Sequence, residues 1–166
     1  MNPPYTLRTA RPGDLPAIVA IYNSTIASRQ VTADLQPVTV AERQAWFDAH
    51  SGHRPLYVVE NEARQVVAWG SFSDYYPRAA YRICAEISIY LDPQYRGAGL
   101  GRQLLDAMMS RAPALGLQRL IAVIFAHNTP SVRLFERAGF EHWGLLPQVC
   151  DLDGALADIV LLGKKV

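Results

Sequence analysis

Apolar residues along this chain recur at two periods, and each change of period marks the end of an element. Residues 7–9 read as a short strand, broken by Arg11-Pro12-Gly13-Asp14. Leu15, Ile18, Val19, Tyr22 and Ile26 then recur at helical spacing, which gives a helix one apolar face, with Asp14 expected as its N-cap. Residues 27–37 keep no period and are expected to form a loop. Thr39-Val40-Ala41-Glu42 has the form of a capping box. A second helix is therefore expected to run to about His50, with Trp46 and Phe47 on its apolar side, stopped by Ser51-Gly52-His53-Arg54-Pro55.

Residues 56–60 and 66–73 predict a hairpin around the polar turn Asn61-Glu62-Ala63-Arg64-Gln65. An aromatic-rich loop, Asp74-Tyr75-Tyr76-Pro77-Arg78, comes next. From 83 to 91 a strict alternation sets Ile83, Ala85, Ile87, Ile89 and Leu91 against Cys84, Glu86, Ser88 and Tyr90, a long strand with two different faces. Leu104, Leu105, Met108, Ala112 and Leu115 trace one face of a third helix, with Pro113 distorting its end and Gly116 as its stop. Residues 120–125 read as a buried strand, and Thr129-Pro130 as the N-cap and first residue of a fourth helix stopped by Gly139. Two last strands are expected at 140–145 and 157–162, joined by a polar loop holding Asp151, Asp153 and Gly154. The order βααβββαβαββ, without repeat or linker, is mixed α/β and predicts one domain over residues 1–166.

Composition narrows the classes of function. A chain of 166 residues is long enough to bury roughly two thirds of its unfolded surface. Half of the residues are hydrophobic and the formal charge is +1, which argues against a dominant nucleic-acid or membrane-surface role, and no cluster of Lys or Arg stands out beyond Lys164-Lys165, read as a solvated tail. No apolar stretch approaches the ~20 residues of a membrane span. Met1-Asn2-Pro3-Pro4-Tyr5 lacks a basic segment followed by an apolar one, and a cytoplasmic location is expected. Cys84 and Cys150 are expected there as free thiols, with a disulfide between them as the alternative.

Candidate chemistry concentrates where the alternating strand ends. Asp92-Pro93 stops it, Arg96-Gly97-Ala98-Gly99-Leu100-Gly101 follows, and a helix begins at once. Glycines let several N–H groups converge, and a helix N-terminus adds unsatisfied donors and partial positive charge, so this is an anion site built from backbone. The P-loop pattern G-x-x-x-x-G-K-[ST] is absent, and the spacing is G-x-G-x-G rather than the dinucleotide G-x-G-x-x-G. His50, His53, His127 and His142 show no metal-ligand spacing, and no serine nucleophile elbow is visible. Glu86 stands out on its own, because a carboxylate alternating with Ile87 and Ile89 in an otherwise apolar strand costs several kcal/mol to bury unless it is paired. It is either a base that takes a proton from an ammonium group or half of an ion pair with Arg78 or Arg82.

The segment Arg96-Gly97-Ala98-Gly99-Leu100-Gly101 resembles the R-x-x-G-x-[GA] signature of the GCN5-related N-acetyltransferases (GNAT superfamily). Residues 128–140, from Asn128-Thr129-Pro130-Ser131 to Ala138-Gly139-Phe140, resemble the second signature of the same superfamily. Ile21-Tyr22-Asn23, Pro37-Val38-Thr39, Ala45-Trp46-Phe47 and the strand Ala85-Glu86-Ile87-Ser88-Ile89-Tyr90-Leu91 extend the resemblance to its phosphinothricin and methionine sulfone branch.

The resemblance implies a GNAT fold, a central, twisted, mostly antiparallel mixed sheet flanked by helices. It implies acetyl-CoA as cosubstrate, without a metal, and transfer of acetyl to the primary amine of a small molecule, an amino acid or analogue. Glu86 is then the general base. Ile89, Tyr90 and Leu91 would pair with the pantetheine arm, Arg96, Gly97, Ala98, Gly99, Leu100, Gly101 and Arg102 would cradle the pyrophosphate, and Asn128, Ser131 and Phe135 would flank the arm near its sulfur. The acceptor would meet Tyr76, Pro77 and Arg78, together with Glu86, Ile87 and Ser88, with Arg78 as a carboxylate clamp. The branch also implies a homodimer.

Several positions depart from the branch. Ala98 stands where Arg or Lys is usual, and Phe135 where histidine is common. Phenylalanine has no proton to give, and with a thiol pKa of ~8.5 the departing thiolate is expected to be protonated by solvent. Ala33, Leu146-Pro147, Leu152 and Leu156 replace aromatic or basic residues of the phosphinothricin type, which leaves the acceptor open. The alternative reading is a CoA-binding regulatory module without transferase activity.

Overall fold

The computed structural model describes Met1, residues 4–50 and residues 52–166; Asn2, Pro3 and Ser51, the last expected to help stop the second helix, lie outside the described residues. Seven strands form: β1 (Thr6–Thr9), β2 (Leu56–Glu60), β3 (Val66–Asp74), β4 (Cys84–Leu91), β5 (Arg119–Phe125), β6 (Glu141–Leu152) and β7 (Ala155–Lys165). They pair in the order β1-β2-β3-β4-β5-β7-β6, antiparallel except for β4 against β5. The helices are α1 (Leu15–Ile26), α2 (Val40–Asp48), α3 (Leu100–Arg111) and α4 (Thr129–Arg137). Elements therefore follow one another as the periodicity predicts, in a mostly antiparallel mixed sheet flanked by helices.

Strand alternation divides the core in two. Tyr57, Val59, Ala85 and Ile87 pack with Leu100, Leu104, Leu105, Met108 and Phe135 on the α3/α4 face. Leu56, Val58 and Trp69 pack with Ile18, Ile21, Tyr22 and Ile26 on the α1/α2 face. Helix α2 buries no residue completely, and only Trp46 and Phe47 lean on that cluster. Its capping box holds its start: Thr39 Oγ1 accepts from the Glu42 N–H at 3.2 Å, and the Glu42 carboxylate accepts from the Thr39 N–H at 2.6 Å. At the other predicted break, α3 gives way to a 3-10 turn at Pro113–Leu115, and Gly116 follows at φ +75°.

Three local expectations give way to tertiary partners or to turn geometry. Asp14 does not cap α1 with its side chain. Its carboxylate accepts from both terminal nitrogens of Arg8, at 2.7 and 2.9 Å, and from the Arg11 N–H at 2.6 Å. The N-cap of α4 is Asn128 rather than Thr129, because the Asn128 side-chain oxygen accepts from the Ser131 N–H at 3.3 Å. The last two strands are longer than predicted, since Asp153 and Gly154 alone turn the chain, at φ +57° and +91°. Two successive residues at positive φ match the twist of a two-residue hairpin, so the polar stretch before them is strand rather than loop.

Candidate active site

Register builds the site. Across the β3/β4 ladder Trp69 stands opposite Tyr90, Ser71 opposite Ser88 and Ser73 opposite Glu86. Residues opposite each other share a face, and this set faces α1 and α2. There they line a cavity of about 160 Å³ with Ile18, Val19 and Tyr22 of α1 and with Arg43 and Trp46 of α2. The walls are aromatic: the Trp69 and Tyr90 rings stack at 4.2 Å, Tyr22 lies 5.3 Å from Tyr90, and Trp46 meets Trp69 edge-on at 5.6 Å. The indole N–H of Trp69 is buried without a hydrogen-bond partner among the described residues. Burial pushes the Tyr90 hydroxyl above its ordinary range, so neither it nor Tyr22, raised first by burial and then by Asp34, is a base at neutral pH.

Glu86 is the carboxylate of this cavity. Burial raises its carboxyl above the usual carboxylate range, and a long 3.5 Å contact from Ser88 Oγ offsets little of that. No cation pairs with Glu86 among the described residues: Arg78 lies over the Tyr76 ring at 5.7 Å, and Arg82 reaches the Ala79 carbonyl. The ion-pair reading therefore falls, and what is left is a partly dehydrated carboxylate without a cation beside it among the described residues.

Glu86 also marks where the sheet opens. Strands β4 and β5 pair at Cys84, Ala85 and Glu86 only, against Arg119, Leu120 and Ile121, and then part. The gap is a slot of about 40 Å³ lined by Ile87, Ser88, Ile89 and Tyr90, by Val123 and Ile124 of β5, and by Asn128, Ser131 and Phe135. Ser88 and Tyr90 border both the slot and the cavity, so the two spaces meet at β4.

From Glu86 to Leu91 the strand runs about 17 Å, and beyond it the glycine turn reaches α3. Gly97 and Gly99 both sit at φ +79°, in the left-handed region that glycine favours, and Gly99 is the N-cap of α3. At Gly101 a Cβ would stand 3.4 Å from Leu134 and 3.6 Å from Leu91, so the start of α3 packs closely against α4 and against the end of β4. The first N–H groups of α3 have no intrahelical acceptor. Their direction, glycine freedom and slot together fit a long ligand with an anionic end.

The predicted residues divide accordingly. Glu86 and Ser88 face the cavity, whereas Ile87, 2 % exposed, packs on the α3 side and reaches only the slot. The Tyr90 ring forms a cavity wall in addition to bordering the slot. Ile89 and Leu91 pack against the α3-side core. Arg96 is exposed and donates to the Leu91 carbonyl at 3.4 Å, and Ala98 is exposed. Arg102 ties Asp106 to the Arg137 carbonyl, at 2.7 Å each, through its Nε and Nη1. Phe135, 2 % exposed, meets Phe140 edge-on at 5.0 Å as well as lining the slot.

Tyr76, Pro77 and Arg78 are exposed and line neither space; their loop leaves β3 just beyond Ser73, at the Glu86 end of the cavity. The departing positions Ala33, Pro147, Leu152 and Leu156 also lie outside the cavity lining, with Leu152 buried against Phe125 and Ile159. Sequence reading missed Ser71, Ser73, Trp69, Tyr22, Arg43 and Trp46 as site residues. The signal for the serines was the alternation that exposes Glu86, since Ser71 and Ser73 flank buried Phe72 in the same way.

A glycine turn before α3, a sheet that parts after a half-buried carboxylate, and a second cavity on the far side of the same strand fit an acyl-CoA-dependent transferase. The Acetyltransferase (GNAT) family pattern matches residues 18–140, and the chain belongs to that family. It is 52% identical over 161 residues, 97% of this chain and 99% of the relative, to the Bacillus subtilis (strain 168) protein named "Putative phosphinothricin acetyltransferase YwnH". It is 38% identical over 159 residues, 95% of this chain and 92% of the relative, to the L-methionine sulfoximine/L-methionine sulfone acetyltransferase of Pseudomonas aeruginosa PAO1. The solved phosphinothricin acetyltransferase of Sinorhizobium meliloti in complex with AcCoA superposes with a TM-score of 0.92 at 32% identity, covering 98% of this chain and 88% of that one. The chain is an N-acetyltransferase, and the reading as a module without transferase activity falls away.

Proposed function

We propose that this enzyme acetylates the primary amine of a small amino acid or amino-acid analogue, with Glu86 as the base and acetyl-CoA held along β4. One observation carries the reading: the cavity and the slot meet at Ser88 and Tyr90, immediately beyond the desolvated carboxylate of Glu86. The relatives named for phosphinothricin and methionine sulfone support the acceptor class.

Acetyl-CoA, when bound, supplies an acetyl thioester. Backbone N–H groups from Gly97 to Arg102 would hold its pyrophosphate, as the positive φ of Gly97 and Gly99 and the close approach at Gly101 favour. Ile89, Tyr90 and Leu91 lie beyond the last β4/β5 pair, so this stretch of strand edge is open to the amides of the pantetheine arm. Asn128 would reach the arm through its side-chain NH₂, which has no partner among the described residues, while its oxygen stays on Ser131. Ser131 and Phe135 complete that wall.

Glu86 takes the proton of the acceptor ammonium, because only the neutral amine has a lone pair to give. An α-amine of pKa ~8 is mostly protonated at pH 7. N–H groups of β4 freed by the loss of β5 stand where an oxyanion would develop. Tyr76, Pro77 and Arg78 would border the acceptor from the loop at the cavity's Glu86 end.

Two coarser features belong to the same reading. A homodimer is supported by Leu145, Leu146, Val149 and Leu156, exposed at 57%, 42%, 54% and 60% along the β6/β7 ladder, with β6 an edge strand that a second copy can cover. A cytoplasmic location is supported by the free thiols of Cys84 and Cys150. No described helix is long and apolar enough to cross a membrane.

A mass-spectrometric screen of amines with acetyl-CoA, including methionine sulfone, methionine sulfoximine and phosphinothricin, tests the function. Acetylated amino acids with matching release of free CoA are expected. Acetylation confined to protein N-termini or to aminoglycoside-sized amines would refute the acceptor class.

A further inference from the structure

Arg43 lies on the face of α2 that it shares with Trp46 and Phe47, three and four residues on, and it lines the cavity opposite the sheet. Its side chain is 24% exposed and, among the described residues, is the only cation in the lining. Two supports pin it. The guanidinium carbon sits 4.4 Å above the Tyr22 ring and 5.5 Å from that of Trp46, and Nη2 donates to Asp34 Oδ2 at 3.0 Å. Asp34, outside the lining, is itself fixed by the Tyr22 hydroxyl, which donates to it at 2.6 Å.

One nitrogen is thus spent on orientation. Nε and Nη1 have no acceptor among the described residues. A held, partly dehydrated guanidinium with donors to spare is a preformed carboxylate receptor, since its fork matches two oxygens at once. The opposite charge in the same cavity is Glu86. A cavity with one carboxylate and one guanidinium matches a molecule that carries an ammonium and a carboxylate close together. Arg78, by contrast, lies exposed over Tyr76, which is 50% exposed.

We infer that Arg43 binds the carboxylate of the acceptor and so selects α-amino acids over simple amines, with Asp34 as its positioning residue. The inference rests on the amine-acceptor reading above and adds the residue that decides between acceptors. In this arrangement the ammonium faces Glu86, the carboxylate faces Arg43, and the side chain lies among Tyr22, Trp46, Trp69 and Tyr90. An amine without a carboxylate leaves the guanidinium donors unpaired in a half-dry cavity, which penalises it.

The test compares three matched acceptors with the intact enzyme: L-methionine sulfone, its α-carboxamide, and the amine left by removing the carboxyl group. CoA release gives kcat and KM for each. Wild type is expected to favour the acid by about 100-fold in kcat/KM. Arg43→Gln should cut that preference to within about threefold, through KM for the acid, and Arg43→Lys should keep a part of it, since a point charge replaces the fork. Asp34→Asn should lower the preference in the same direction without removing it. Equal turnover of the three acceptors by wild type overturns the inference, as does an Arg43→Gln loss of equal size on the acid and the amine. The wild-type comparison needs no variant, so a variant that fails to fold leaves the inference open to refutation. No acetylation of any amine would overturn the proposed function along with it, whereas acetylation that ignores the carboxylate would overturn Arg43 alone.

Discussion

Replacing Glu86 by glutamine removes the proposed base with almost no change of shape, and the structure sets the size of the effect. Glu86 has no ion-pair partner among the described residues, and its one side-chain contact is the long one from Ser88, which an amide oxygen can still accept. No second base lines the cavity: Tyr22 and Tyr90 are phenols pushed upward, and Arg43 is a cation. General-base catalysis contributes 10²–10⁴-fold, and at 1.36 kcal/mol per decade the middle of that range is about 4 kcal/mol. A fall of about 10³ in kcat at pH 7 is expected, with KM for acetyl-CoA unchanged.

The pH dependence carries the sharper test of Glu86→Gln. Once the solution deprotonates the amine, the base is redundant, so between pH 7 and pH 9 the variant should gain about tenfold relative to wild type for an amine of pKa ~8. Steady-state CoA release across that range measures it. A deficit below tenfold at pH 7, or one that stays constant to pH 9, would refute the base assignment. Stability gives an independent check. The folded-state carboxyl lies above its ordinary value of 4.5, so between the two values the native state binds more protons than the unfolded one, and stability falls as pH rises through them. Glutamine escapes that cost, and the variant should melt higher than wild type at pH 7 but not at pH 4.

Three further substitutions probe the frame around the site. At Gly70 an added Cβ would overlap Met108 Sδ and meet the Ser88 carbonyl at 3.1 Å, so Gly70→Ala should cost about 1–3 kcal/mol and lower Tm by several degrees; an unchanged Tm would show that the flexible Met108 side chain moves aside at no cost. Gly99→Ala meets nothing within 4 Å but keeps φ at +79°, a strain of about 1–2 kcal/mol; KM for acetyl-CoA should rise about tenfold by titration of initial rates, and an unaltered KM would argue against phosphate binding at this turn. Phe135→His places an imidazole in a position 2 % exposed, so Tm should fall while kcat stays within about threefold; a gain of 100-fold would mean that solvent does not suffice to protonate the thiolate.

The sequence by itself determined whatever depends on neighbours along the chain. Alternation placed Glu86 on the opposite face of its strand from Ile87 and Ile89, because side-chain direction in a strand has a period of two. The turn at Gly97 and Gly99 was legible because positive φ and a helix N-terminus are local properties, and the capping box of α2 was legible for the same reason. Asp153-Gly154 carried an equally local hairpin signal that the surrounding polar residues obscured. Only the tertiary structure decided the acceptor cavity. Ser71 and Ser73 become site residues through their register with Ser88 and Glu86, and strand register is set between segments, not within one. Tyr22 and Trp46 read in sequence as ordinary apolar positions, and nothing in the sequence singles out Arg43; the packing of two helices on the sheet turned them into a wall and a fixed cation. Asp14 likewise left its expected cap for Arg8, since a charged partner brought near by folding outcompetes a local hydrogen bond.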